Sequence, residues 1–383
     1  MKIISVVGAR PNFMKIAPFI RAIDQHNQVN SDNKIEHILL HTGQHYDDRM
    51  SKAFFQSLNI PDANINLNVG SGSHAEQVGN TMIAFEKVLF REKPDWVVVV
   101  GDVNATLACS VTAKKLHIKV CHIEAGLRSR DMEMPEEINR LVTDRLSDLL
   151  LTPDELSIEN LRQEGVEDHR IHCVGNIMID TVESNLKKAA ALNLDDLIRN
   201  NLYKNNNIDL SYNGIPYVVL TMHRPSNVDK KEILEPIINF LLEVVLQDFR
   251  LIWPIHPRTE KKLIEFGLFE KIRLAKGLIL LEPVGYHEML KLNMGARVML
   301  TDSGGLQEEC CVLGTPCLTL RWNTERPITL KENGGASILV GNDVDKIQEE
   351  FRIACNTERK PFRPPFWDGN SAFRCLKALL EYN

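Results

Sequence analysis

No stretch of this 383-residue chain stays apolar over the roughly 20 residues that a membrane-spanning helix needs, so no membrane-embedded segment is expected. The opening MKIISVVGARPN has too short an apolar run for a signal peptide and no small-residue cleavage site, which makes a cytoplasmic location the expectation. A basic excess is also missing. With 45 Lys and Arg against 51 Asp and Glu, the net charge is −6, which argues against a nucleic-acid partner. Neither Gly-x-Gly-x-x-Gly nor G-x-x-x-x-G-K-[ST] occurs, so a dinucleotide cofactor and a P-loop ATPase both lack their phosphate signature. Eight cysteines are present, but none form C-x-x-C or a Cys/His spacing suited to zinc. Most lie inside apolar runs and read as small core residues. His41-x-x-x-His45 would suit zinc only on a helix, and Thr42-Gly43 argues against one. No metal is expected.

What is present is a soluble composition, 44% hydrophobic and 25% charged, long enough for two ordinary domains. Short apolar runs near 2–7, 35–41, 96–100, 118–122, 149–152 and 171–174 alternate with helical patterns. One such pattern is 74–92, where Val78, Met82, Phe85 and Leu89 recur at helical spacing. After the polar stretch 200–214 the strands resume near 217–222, 250–254, 278–281, 297–301, 316–320 and 336–340. Alternation of this kind predicts an α/β fold with two parallel sheets, that is, two Rossmann-like domains facing a central cleft. The expected domains are 1–200 and 201–365, with a terminal helix at 366–383 packing back on the first. The two halves open alike, with Gly8-Ala9-Arg10-Pro11-Asn12 after one strand and His223-Arg224-Pro225-Ser226-Asn227 after another.

The most informative segment is 300–327. A strand ends in Thr301-Asp302-Ser303-Gly304-Gly305 and a helix follows from Leu306. Free first-turn N–H groups and the helix dipole make such a terminus an anion site, with Ser303, Gly304 and Gly305 as a phosphate cradle. Glu309, one turn on, can accept hydrogen bonds from a ribose, and the next strand delivers Arg321, Glu325 and Arg326. Other polar residues also fall where strands end: Arg10, His41, Asp102, Glu124, His223 and His256. Open parallel sheets bind ligands beyond those strand ends. Asp102, Glu124 and Glu136 read as carboxylates able to raise one another's pKa for proton transfer. Arg10 and Lys15 frame a second helix N-terminus starting near Asn12.

GARPNFMK (8–15), HTGQHYDDRM (41–50), GDVNATLA (101–108), HIEAGLRS (122–129), PEEINR (135–140), TMHRPSN (221–227), PIHPRT (254–259), TDSGGLQEE (301–309) and NTERP (323–327) together resemble the non-hydrolysing UDP-N-acetylglucosamine 2-epimerases. The motifs arrive in that family's order over nearly the whole chain. The resemblance implies the glycosyltransferase-B type of fold, a homodimer, no cofactor, and a UDP-sugar as the partner molecule. It implies Asp102, Glu124 and Glu136 as the acid–base set, with His223 alongside. Arg10, Lys15, His223 and Arg326 would meet the diphosphate or its surroundings. Ser303, Gly304 and Gly305 would hold phosphate, Glu309 the ribose, and Met289 would line the uracil pocket. The implied chemistry expels UDP from C1 as the C2 proton is removed, giving 2-acetamidoglucal, and then re-adds UDP. His223-Arg224-Pro225-Ser226-Asn227 departs from the family's H-R-R-E-N, a neighbourhood some members use for a second, activating substrate. HTGQHYD also resembles relatives acting on UDP-diacetamido-uronic acids, so the sugar stays open. A hydrolysing epimerase, a glycosyltransferase and a non-catalytic UDP-sugar sensor are the rival readings.

Overall fold

A strand covered by helices on both faces has no polar side to present, and its sequence then reads as an unbroken apolar run. Trp96–Val100 is such a strand, buried along its whole length. The computed structural model describes residues 1–43, 61–204 and 215–382, and its contacts divide the chain into two units. The first comprises Met1–Ser184 with Pro364–Asn383, and the second Asn185–Arg363. Both are Rossmann-like.

In the first unit the strands are β1 (Lys2–Val7), β2 (Glu36–His41), β3 (Ile65–Asn66), β4 (Trp96–Val100), β5 (Lys119–Ile123), β6 (Leu149–Thr152) and β7 (Ile171–Cys173). They form one parallel sheet in the order β3-β2-β1-β4-β5-β6-β7. The second unit holds β8 (Tyr217–Thr221), β9 (Arg250–Pro254), β10 (Leu278–Leu281), β11 (Val298–Thr301), β12 (Cys317–Thr319) and β13 (Ser337–Leu339). Its order is β10-β9-β8-β11-β12-β13. The longer strands fall where the sequence predicts them. Only β3, two residues long, was not anticipated, because two residues carry no periodicity.

Alternation decides the core. In the second sheet Val218, Leu220, Leu251, Trp253, Leu278, Leu280, Val298 and Leu300 enter one buried cluster. Their neighbours Val219, Ile252, Ile279, Leu281 and Met299 enter another. Successive side chains point to opposite faces, so two clusters on alternate residues mean that both faces are covered. Among the helices, His74–Glu92 starts with a capping box. Ser73 Oγ accepts from the Glu76 N–H at 3.3 Å, and the Glu76 carboxylate accepts from the Ser73 N–H at 2.8 Å. The predicted stripe holds at Phe85 and Leu89, which are buried together with Thr81 and Val88, while Val78 and Met82 are half-buried.

Each sheet grows first to one side and then to the other. β1 lies between β2 and β4, and β8 lies between β9 and β11. The residues beyond β1 and β4, and beyond β8 and β11, therefore flank the points where the winding reverses, and loops part there to leave a crevice.

The last twenty residues belong to the first unit. Helix Ser371–Glu381 packs on helix Arg10–Val29, and the Asp180 carboxylate caps its start by accepting from the Ser371 and Ala372 N–H groups at 3.0 and 2.7 Å. Buried Trp367 donates from Nε1 to the Pro153 carbonyl at 3.0 Å. Gly175, at φ +86°, lies so close that a Cβ would stand 2.1 Å from the Phe366 carbonyl oxygen. Gly165, at φ +78°, has nothing within 4 Å of the same position. Gly165→Ala should therefore lose only the left-handed backbone penalty, about 1–2 kcal/mol. Gly175→Ala should lose that and about 1–3 kcal/mol more from overpacking, read as the lower urea midpoint of the two.

Candidate active site

In the first unit the reversal point is built by β1, β4 and β5. Asn12, in the first turn of helix Arg10–Val29, accepts at Oδ1 from the Gly8 and Ala9 N–H groups at 3.1 and 3.0 Å. Its Nδ2 donates to the Val100 carbonyl at 2.9 Å, so one buried side chain ties the turn after β1 to the end of β4. One turn further, Lys15 forms an ion pair with Glu124, which follows β5. Both are nearly inaccessible, at 6% and 3% exposure. Glu124 is held at φ +71°, unusual for a residue with a side chain, by two bonds. Its own N–H and that of Ala125 both donate to the Leu151 carbonyl at 3.1 Å. Glu124 Oε1 has no hydrogen-bond partner among the described residues. Such a position costs free energy, and strained, unsatisfied groups collect at functional sites.

Asp102, just past β4, forms an ion pair with Arg140 of helix Pro135–Leu146. Arg140 is buried and also donates from Nε to Glu137 at 2.8 Å. Glu137 in turn accepts from the Ser129 and Arg130 N–H groups at 3.0 and 2.8 Å. Burial works against the charge of Glu137, but these amides and Arg140 hold its carboxyl below the usual range. Glu136 is half-buried in the same first turn. Asp102 and Glu124 each pair with a cation.

In the second unit the organising group is Asp302, fully buried beyond β11. Its Oδ2 accepts from the His223 and Arg224 N–H groups, each at 2.8 Å, and from Asn227 Nδ2 at 3.2 Å. Oδ1 lies 2.9 Å from His223 Nδ1. Burial opposes ionisation of Asp302, yet His223 and these amides hold its carboxyl below the usual range. The His223 ring is set by this pair and lies 5.1 Å, centroid to centroid, from the ring of His256. Ser303 donates its N–H to Thr301 Oγ1 at 3.0 Å, and helix Gly304–Leu313 begins there. A Cβ on Gly304 would meet Glu325 Oε1 at 2.7 Å and Arg326 Nη1 at 2.8 Å, whereas one on Gly305 would meet nothing within 4 Å. The first glycine admits its neighbours and the second keeps the helix end open.

Arg326 is buried between carboxylates, with Nε 2.7 Å from Glu308 and Nη1 paired with Glu325. Glu325 also receives Arg321 at 2.7 Å. Glu309, at 3% exposure, lies beside Tyr286, Asn293 and Glu308. Burial pushes its carboxyl up to about 8, and the Glu308 charge adds to that. Met289 is half-buried on helix Tyr286–Gly295 against the cluster containing Leu306 and Cys310. The Arg10 side chain and His45 lie outside the described residues.

Sequence reasoning passed over three members of these networks. Arg140 and Glu137 are three apart on one helix, and that spacing could have exposed them. His122 read as part of an apolar strand. It is fully buried, with Nδ1 2.6 Å from Asp144 Oδ1 and Nε2 2.9 Å from the Gly101 carbonyl.

A family model described as UDP-N-acetylglucosamine 2-epimerase matches residues 27–380. The UDP-N-acetylglucosamine 2-epimerase of Methanocaldococcus jannaschii is 44% identical over 99% of both chains. Its crystal structure in complex with UDP-GlcNAc and UDP superposes with a TM-score of 0.85, again at 44% identity and 99% coverage of each chain. The UDP-2,3-diacetamido-2,3-dideoxy-D-glucuronate 2-epimerase of Pseudomonas aeruginosa is 37% identical over the full length of both.

Because Glu309 is raised from 4.5 to about 8, ionising it costs the folded state. That cost grows as pH rises from the unfolded carboxyl value and is complete above the folded one. Glu309→Gln should therefore melt higher than the parent chain near pH ~8.5, by a margin on the order of a few kcal/mol. The margin should vanish below about pH 3, where the carboxyl is protonated in both the folded and the unfolded chain. Melting curves at several pH values check this.

Proposed function

The chain belongs to the UDP-N-acetylglucosamine 2-epimerase family, and from that premise we propose that it interconverts UDP-N-acetylglucosamine and UDP-N-acetylmannosamine without hydrolysing them. One observation carries the reading: Glu124 is a buried carboxylate with one oxygen ion-paired to Lys15 and the other without a hydrogen-bond partner among the described residues. A buried carboxylate oxygen with no donor among the described residues is able to take a proton, and the reaction supplies one from C2 of the sugar.

That C–H bond is not acidic, so inversion needs an easier route. UDP leaves from C1 as a base takes the C2 proton, giving 2-acetamidoglucal and UDP. UDP then adds back to C1 while a proton reaches C2 from the opposite face. Asp102, Glu124 and Glu136 manage the protons in this reading. Ser303, Gly304 and Gly305 hold phosphate through backbone N–H groups, with His223, Arg326, Arg10 and Lys15 as the cationic complement. Charge-assisted hydrogen bonds of about 1.5–3 kcal/mol each then favour the diphosphate as it takes up negative charge on leaving. Glu309 takes the ribose and Met289 lines the uracil pocket. The enzyme works as a cytoplasmic homodimer and feeds surface polysaccharide synthesis. A UDP-diacetamido-uronic acid is the second candidate substrate, favoured by full-length identity to the Pseudomonas aeruginosa enzyme. The higher identity to the Methanocaldococcus jannaschii enzyme supports the GlcNAc nucleotide first.

The pure chain, given UDP-GlcNAc in D₂O, should yield UDP-ManNAc carrying deuterium at C2 by proton NMR. Free ManNAc with UDP would establish hydrolysis instead, and an unchanged spectrum despite binding would reject the epimerase. Glu124→Gln should bind UDP as the parent does and lose about 10²–10³-fold in turnover, by analogy with removal of one oxyanion donor. Full activity in that variant would remove Glu124 from its role. Gly305→Ala should leave the melting temperature unchanged, since the methyl has open space. UDP titration by calorimetry should show at least about tenfold weaker binding, as one lost charge-assisted bond gives.

A further inference from the structure

His122 and Asp144 are fully buried, and neither is among the groups assigned above as substrate contacts. His122 Nε2 faces the Gly101 carbonyl at 2.9 Å, and a carbonyl can only accept. His122 Nδ1 faces Asp144 Oδ1 at 2.6 Å. Burial works against the charge of Asp144, but His122, Arg128 and the Gly126 N–H hold its carboxyl below the usual range, so it too accepts. Each ring nitrogen thus faces an acceptor, and the ring is clamped between the Gly101 carbonyl and the Asp144 carboxylate. The second Asp144 oxygen is equally committed, taking the Gly126 N–H at 3.0 Å and Arg128 at 2.7 Å.

These bonds end on all three places that carry the carboxylates. Gly101, at φ +67°, immediately precedes Asp102, and its own N–H donates to the Ile123 carbonyl at 3.1 Å. Glu124, at φ +71°, lies two residues after His122 and two before Gly126, so both clamped groups bracket it. Asp144 stands on helix Pro135–Leu146, which also bears Glu136 and the Arg140 that pairs with Asp102. Gly126 cannot relax outward, since a Cβ there would stand 2.3 Å from the Ser157 carbonyl oxygen. We propose that the His122–Asp144 pair is the positioning element of the acid–base set, fixing the turns after β4 and β5 and the carboxylate helix in one mutual register. The proposal rests on the epimerase reading, and it adds to that reading the residue pair on which the alignment of Asp102 and Glu124 depends.

Side-chain amides separate the two bonds. Asn places its N–H₂ near the His Nδ1 position and Gln near Nε2. His122→Asn thus keeps the link to Asp144 and loses the one to Gly101, and His122→Gln does the reverse. His122→Asn is expected to lower kcat about 10²-fold, the effect of roughly an ångström of misplacement, with KM and the UDP dissociation constant within about threefold of the parent. His122→Gln, which breaks the link to Asp144 instead, is expected to lower kcat by at least about tenfold, with UDP affinity likewise unchanged. Asp144→Asn, which keeps the shape but not the charge, should also lower kcat with UDP affinity unchanged, and it covers the case in which His122→Asn does not fold. Folding of each variant is read by its melting curve and by UDP titration. Variants that fold, bind UDP and turn over like the parent would overturn the proposal while leaving the epimerase reading intact. Equal losses in His122→Asn and His122→Gln, with UDP affinity falling in step, would overturn it in favour of a purely structural pair. A parent chain that turns over no UDP-sugar removes the epimerase reading and this proposal with it.

Discussion

Every ladder among the described strands is parallel, and most of what the site can do follows from that constraint. Parallel neighbours cannot be joined by a tight turn, so each strand is followed by a crossover and all strands in a sheet end on the same edge. The register makes this concrete. Val100 lies opposite Ile123, which brings Gly101–Asp102 and Glu124 out of the sheet side by side. Thr301 lies opposite both Thr221 and Thr319, which does the same for Asp302, Met222 and Leu320. Residues far apart in sequence become neighbours with no contact of their own needed to draw them together.

The price of gathering polar groups at a buried edge is that each must find a partner, and the two units meet it with different groups used in similar ways. Asn12 secures the turn after β1 by two amides and the Val100 carbonyl. Asn227 secures the corresponding place after β8 through Asp302 and the Leu320 carbonyl at 2.9 Å. Each follows a proline in the first turn of its helix, where a missing N–H is harmless. The likeness of Arg-Pro-Asn and Arg-Pro-Ser-Asn is thus matched by a shared mechanical job. Beyond it the units diverge. The first ends in carboxylates matched to single cations, and the second in an arginine between two glutamates above an open helix terminus.

Strands were legible in the sequence because burial on both faces leaves no polar interruption, and the Ser303–Gly305 turn was legible because glycine has few other reasons to follow a buried strand. Pairing was not. His122 and Asp144 are twenty-two residues apart, and Lys15 and Glu124 are separated by 109. Nothing in local pattern links positions so distant, and a histidine inside Val-Cys-His-Ile looks like any tolerated core residue. Glu136 and Glu137 illustrate the same limit at short range. The sequence marks both as first-turn acids, and only the fold of the preceding turn, whose Ser129 and Arg130 N–H groups reach Glu137, sets it apart from half-exposed Glu136.

The return of the chain to its first unit has a consequence for synthesis. Residues 185–363 are all translated before Pro364–Asn383, so the whole second unit is synthesised before the first has its Trp367 plug and its Ser371–Glu381 helix. During that interval the face of helix Arg10–Val29 that receives helix Ser371–Glu381 is bare. The earlier-made unit thus waits for Pro364–Asn383, which joins a fold begun some 360 residues before.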